Sequence, residues 1–180
     1  LETTDITALR STLAQLKQSD DTTRQVDVIK RIGQLQVDAD MNNEAVATYS
    51  ELLELYESTN DQRGLLETFD MVSALMVKND NSQAAIMHAN RGVGLAEQLG
   101  EATTQMHLLT TLGDARQQLG ESEAASTDYT KALEIARNIN DTQNEAIILY
   151  KLGYAQLDSG DSEHAIETWE QALTLFKAQE

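Results

Sequence analysis

Four small residues, Gly33, Ser73, Gly113 and Gly153, fall 40 positions apart, and twelve residues after each comes an alanine: Ala45, Ala85, Ala125 and Ala165. A fixed period of this length marks a stack of repeated supersecondary units. Two small residues per unit, twelve apart, suit a helix pair whose backbones touch where a larger side chain would hold them apart. The chain therefore reads as a helical solenoid. Such a stack presents a long concave surface in place of a buried catalytic pocket.

Further slots of the same register are apolar. Four positions before the small residue stand Ile29, Phe69, Leu109 and Leu149, and one before it Ile32, Val72, Leu112 and Leu152. Sixteen after it come Tyr49, Ala89, Tyr129 and Trp169; twenty after it come Leu53, Val93, Leu133 and Leu173. Steps of three and four residues describe one face of a helix. Each unit thus contains a first helix (A), a short turn and a second helix (B).

Punctuation follows the same division. Between A and B lie Asp40-Met41-Asn42-Asn43, Asn79-Asp80-Asn81-Ser82, Gly120-Glu121-Ser122 and Gly160-Asp161-Ser162. These residue types tolerate turn geometry or cap a helix start. Asp21, Asp61, Glu101 and Asp141 share one slot at the start of helix A. There an acid can accept from free backbone N–H groups and faces the positive end of the helix dipole.

In Leu112-Gly113, Ala125, Tyr129 and Ala132, and again in Leu149, Leu152-Gly153, Ala165, Trp169 and Ala172, the pattern resembles the tetratricopeptide repeat family. The resemblance covers residues 23–178 and is fullest in the last two units. It implies an all-α fold: a right-handed superhelical solenoid of antiparallel helix pairs, about nine helices in all. The 40-residue period is longer than the family's usual 34 and is similar to its long-helix subgroup. There is no proline in the chain, although one is common near the end of the family repeat. Unit two departs furthest, with Ser73, Ala89 and Gly92 in the glycine, aromatic and second-alanine slots. HEAT and armadillo repeats also run near 40 residues, but the glycine-to-alanine interval favours the tetratricopeptide reading.

One solenoid is expected over residues 1–180, divided as a half-repeat or capping helix (4–20) and repeats 21–60, 61–100, 101–140 and 141–180. Ile6, Leu9, Leu13 and Leu16 fall in register with the core slots of helix B, so the chain is expected to open on a lone B-type helix. No polar capping helix follows Phe176, and the terminal helices are a candidate surface for self-association.

Charge bounds the partners. A formal net charge of −17 argues against nucleic acid, whose phosphates require clustered Lys and Arg, and against anionic membranes. No apolar run approaches the length of a membrane span. Zero cysteines exclude disulfides, thiolate metal sites and cysteine nucleophiles.

The resemblance places the concave groove on helix A. Groove slots in units one and three are mostly polar: Asp27, Lys30 and Gln34, then His107, Thr110 and Asp114. In unit four they change to Ile147, Tyr150, Tyr154 and Leu157, an apolar and aromatic stripe, which Met71, Ala74 and Val77 of unit two extend. Tyrosines one turn apart offer flat contact area at low entropy cost, with hydroxyls for hydrogen bonds. Two readings of the stripe stand: a binding patch for a peptide or helix, or packing against a following unit. The expected peptide-binding groove is Ile147, Tyr150, Tyr154, Leu157, His107, Asp114, Lys30 and Gln34.

The family's carboxylate clamp for chaperone peptides does not carry over. Unit one offers Lys30 and Arg31, but Gln34 replaces the expected Asn, and Glu67, Met71, His107 and Thr111 stand where later clamp residues belong.

Signals for chemistry are weak. Gly92-Val93-Gly94 with Glu97 imitates part of a dinucleotide fingerprint but lacks the third glycine and sits inside an expected helix. His164 and Glu167 share a helix face without the ligands to complete a metal site. His88 has no nucleophile at helical spacing. The reading is a non-enzyme with no cofactor and no metal, a scaffold whose partner is a protein or peptide. Self-assembly through terminal helices, or service as a sensor segment of a signalling protein, are the alternatives.

Overall fold

The computed structural model describes residues 2–19 and 21–178, with side chains from Asp5 onward; Leu1, Asp20, Gln179 and Glu180, which the expected division included, lie outside them. The described residues form nine α-helices and no strand: α1 (Glu2–Leu16), α2 (Thr22–Asp38), α3 (Asn42–Thr59), α4 (Gln62–Lys78), α5 (Ser82–Leu99), α6 (Ala102–Gln118), α7 (Ser122–Asn138), α8 (Thr142–Asp158) and α9 (Ser162–Lys177). Even-numbered helices are the A type and odd-numbered the B type.

Local chemistry sets the helix ends. Asp21, Asp61 and Asp141 cap α2, α4 and α8 by accepting from the backbone N–H of Arg24, Gly64 and Asn144. Glu101 holds the same slot before α6 but makes no side-chain cap. Its extra methylene carries the carboxylate past the amide that an aspartate reaches. Each turn from α2 onward reverses the chain at one left-handed residue. Asp40, Asp80, Gly120 and Gly160 supply it between A and B, and Asn60, Gly100 and Asn140 between B and A. Asp and Asn are the non-glycine residues that most readily visit this region.

Successive helices pack as neighbours, and α4 also touches α6 directly. The core lies between the A and B layers as two apolar clusters bridged by Ile86 and Leu95. Its spacing is set by glycine against ring. A β-carbon on Gly33, Gly113 or Gly153 would collide with Tyr49, Tyr129 or Trp169 of the following B helix. The second pair solves the same problem in reverse: Ala89 replaces the ring, leaving room for a buried Ser73 whose hydroxyl donates to the Phe69 carbonyl (2.7 Å). Gly92 is explained by the same crowding, since a β-carbon there would meet Leu108 Cδ1 at 2.8 Å. It lies within α5, so the imitation of a dinucleotide fingerprint is a packing feature.

At the N-terminal end, Leu13 is buried against this core, with Ile6 and Leu9 packed beside it. Arg10 on α1 donates to Glu51 and Thr48 of α3, both at 2.6 Å. The helix is thereby tied to the next B helix as well as to the core.

Candidate functional site

The A helices share the face that the resemblance assigns to the inside of the solenoid, and its charges are paired from one A helix to the next. Lys30 (α2) meets Glu67 (α4) at 3.4 Å, Asp70 (α4) meets His107 (α6) at 3.7 Å, and Lys151 (α8) donates to both oxygens of Asp114 (α6) at 2.5 and 2.7 Å. Each pair spans 37 residues, one period less about one turn of helix. Lys78 adds a contact to Asp40 at 2.8 Å.

This ladder places several expected groove residues. Lys30, His107 and Asp114 line the inner face but are each committed to a neighbouring helix. Gln34 donates to Asp38 of its own helix at 2.7 Å. The Asp70 carboxylate raises the pKa of His107 above its usual value. Asp114 also accepts from the Tyr129 hydroxyl (2.7 Å). Burial, reinforced by Asp114, holds that phenol protonated well above the ordinary range. Thr111, one of the slots compared with the carboxylate clamp, is buried and faces no groove.

The ladder stops at α8. Beyond Lys151, the exposed face of that helix presents Ile147, Tyr150, Tyr154 and Leu157, the stripe expected from the sequence. The two hydroxyls meet at 3.2 Å and the rings pack edge to face, centroids 5.0 Å apart. That hydrogen bond raises the pKa of Tyr154. Tyr154 joins Val77, Gln117 and Lys151 around one shallow hollow of about 340 Å³ on the inner face.

On its other side Tyr154 packs edge to face on Trp169 of α9, centroids again 5.0 Å apart. The indole N–H donates to the Tyr150 carbonyl at 3.0 Å. Tyr150, Tyr154, Trp169, Ala172, Leu173 and Phe176 together wall a second, mainly apolar hollow of about 400 Å³. From the sequence, the tyrosines belong to the groove and Phe176 to a terminal surface. In the structure they form one surface. The signal was present in the register, since Leu53 and Tyr56 hold the slots of Leu173 and Phe176.

Residues 103–178 match the tetratricopeptide repeat family. That match spans α6 to α9, the last two helix pairs. No curated protein sequence matches it. Among solved structures it is similar to MamA (20% identity over 96% of this chain and 88% of that one, TM-score 0.73). It is likewise similar to BtubC from P. vanneervenii (13% identity, 95% and 71% covered, TM-score 0.84). A third likeness is to Rap protein complexed with Competence and Sporulation Factor (15% identity, TM-score 0.73), where it covers 94% of this chain but 47% of Rap, so the chain spans about half of that protein. At these identities the likeness is one of fold.

Outside the two hollows, two further histidines are held by their surroundings. His164 Nδ1 lies 2.8 Å from the Asp161 carboxylate that caps α9, and that contact raises its pKa. His88 is half-buried near Phe69, and burial lowers its pKa. Among the described residues no group of three or more His, Cys, Asp or Glu could hold a metal ion, and no helix is long and apolar enough to cross a membrane.

Proposed function

We propose that this tetratricopeptide-repeat chain is a protein-interaction scaffold that takes a peptide or helix of a partner protein at the aromatic end of its inner groove. The observation that carries this reading is the change of character at α8. Along α2, α4 and α6 the inner face is spent on cross-helix ion pairs, whereas Ile147, Tyr150, Tyr154 and Leu157 leave a contiguous apolar and aromatic face open. Surface patches of this kind, rimmed by polar groups, mark interaction sites in folded proteins. Asp114, His107, Lys30 and Gln34 serve as the polar continuation of the groove, holding the A helices in register. That Rap protein shares the fold and is complexed with Competence and Sporulation Factor is consistent with ligand binding by such a solenoid.

The test is capture of partners from a lysate by the wild-type chain and by a folded Tyr150→Ala/Tyr154→Ala variant, compared by mass spectrometry. A partner retained by the wild type and lost from the variant supports the groove. Identical recoveries would sink it.

A further inference from the structure

α5 is held by smaller contacts than the B helices on either side of it. Its buried residues are Ser82, Ala85, Ala89, Gly92 and Ala96, all of them small. By contrast α3 buries Tyr49, Leu53 and Tyr56, and α7 buries Tyr129 and Leu133. The two apolar clusters of the core are bridged here by Ile86 and Leu95, both only partly buried.

Its backbone is weak as well. Gly92 and Gly94 fall within one turn of α5, whereas α3 and α7 contain no glycine. Glycine is a poor helix former because it has the most backbone freedom to lose. Packing accounts for Gly92 but not for Gly94, which has nothing within 4 Å of its β-carbon position.

His88 adds an unmet polar atom. Its equivalents Thr48 and Asp128 are paired with Gln36 (2.6 Å) and Arg116 (2.7 Å) of the preceding A helix. In unit two Met76 holds that A-helix slot, and the enclosed Nδ1 of His88 has no hydrogen-bond partner among the described residues. A polar atom so placed favours any state that returns it to water.

The A layer holds together without α5. α4 touches α6 directly, Gln118 donates to the Val77 carbonyl at 3.1 Å, and Arg63 meets Glu101 at 3.8 Å. The polar ties of α5 itself are few. Ser82, its first residue, donates to Gln118 (2.5 Å), and Arg91 donates to Glu57 of α3 (2.6 Å) while lying over the Phe69 ring. The arginine pair is exposed, and such pairs add little stability.

We propose that the body of α5, from Ala85 to Leu99, is a conformational element that opens as a unit while α1–α4 and α6–α9 stay folded. Opening breaks the Arg91–Glu57 pair and bares Phe69 and Leu108, which α5 covers at Gly92. The two halves are then joined through the A layer alone. In a repeat stack stability is a sum of unit and neighbour contributions, so a weak interior helix decides where the stack opens. The proposal is independent of the aromatic groove.

Amide hydrogen exchange of the whole chain, followed by NMR along a urea series, reads opening helix by helix. Amides from Ala89 to Leu99 are expected to be roughly tenfold or more less protected than those of Leu52–Tyr56 and Ala132–Ala136, the factor that two helix glycines carry by themselves. Their protection should also fall less steeply with urea, because a local opening exposes less surface. Two exposed substitutions separate local from global opening. Ala47→Gly on α3 should lower protection in α3 roughly two- to fivefold and leave α5 unchanged, while Gly94→Ala should raise protection in α5 by a similar factor. Protection in α5 equal to that in α3 and α7 would overturn the proposal. So would an Ala47→Gly chain that loses protection equally in both helices, since α5 would then open only with the whole stack.

Discussion

The indole of Trp169 reaches across Gly153 to donate its N–H to the Tyr150 carbonyl at 3.0 Å, and the glycine is what leaves room for it. A methyl group at position 153 would fall within the ring. Alanine is the better helix former by about 1 kcal/mol, yet Gly153→Ala is expected to destabilise by about 1–3 kcal/mol because crowding outweighs propensity. Gly94 is the control. It lies in α5 with nothing within 4 Å of the β-carbon position, so Gly94→Ala should stabilise by about 0.5–1 kcal/mol. Urea denaturation of the two variants checks both signs, and equal signs would refute the crowding account.

Arg116 and Asp128 form the most enclosed ion pair among the described residues, 2.7 Å apart with the aspartate side chain 5% exposed. Burial pushes the Asp128 carboxyl above its usual range, and Arg116 opposes that shift. Removing the guanidinium alone in Arg116→Met should cost about 2–4 kcal/mol, since a buried carboxylate then stands without its partner. The double change Arg116→Met/Asp128→Leu should recover most of the loss. A double-mutant cycle with no coupling would overturn this assignment.

Asp80 turns the chain between α4 and α5 at φ 55°, and its equivalents in the last two A–B turns are Gly120 and Gly160. An L-residue in the left-handed region is strained where glycine is not. Asp80→Gly is therefore expected to stabilise by about 0.5–1 kcal/mol, net of the glycine's greater freedom in the unfolded chain. Thermal unfolding at fixed pH reads the shift. A lowered melting temperature would count against strain at this turn.

The Asp70–His107 contact makes one rung of the ladder depend on pH. The pKa of His107 is raised in the folded state, so its contribution is fully present below the ordinary imidazole value and is lost as pH rises through the raised one. The pair is half-exposed, which limits the effect to about 0.5 kcal/mol. The stability gap between wild type and His107→Gln should accordingly be wider at about pH 5.5 than at about pH 8.5. A gap that widens with pH would reverse the sign and exclude the assignment.

Much of the architecture was legible because its cause is local or periodic. Asp21, Asp61 and Asp141 announce helix starts through an amide two or three residues away. Gly33, Gly113 and Gly153 announce close approach because each recurs sixteen residues before a ring. Even the irregular second pair followed the rule, its Ser73 matched by Ala89. The candidate site was legible only in pieces. Opposite charges 37 residues apart, as in Lys30–Glu67 and Asp114–Lys151, do not reveal pairing until the placement of neighbouring A helices is known. The joining of Tyr150 and Tyr154 with Leu173 and Phe176 required the same knowledge.

By itself, the sequence determined the helix pairs, their caps, their turns and the small-against-large contacts that space them, because each depends on residues a few turns apart in the chain. Tertiary structure decided which charged side chains neutralise one another and which apolar ones stay open. Both outcomes depend on how one repeat is placed against the next, and at α9 on whether another helix covers Leu173 and Phe176, a condition no residue carries within its own neighbourhood.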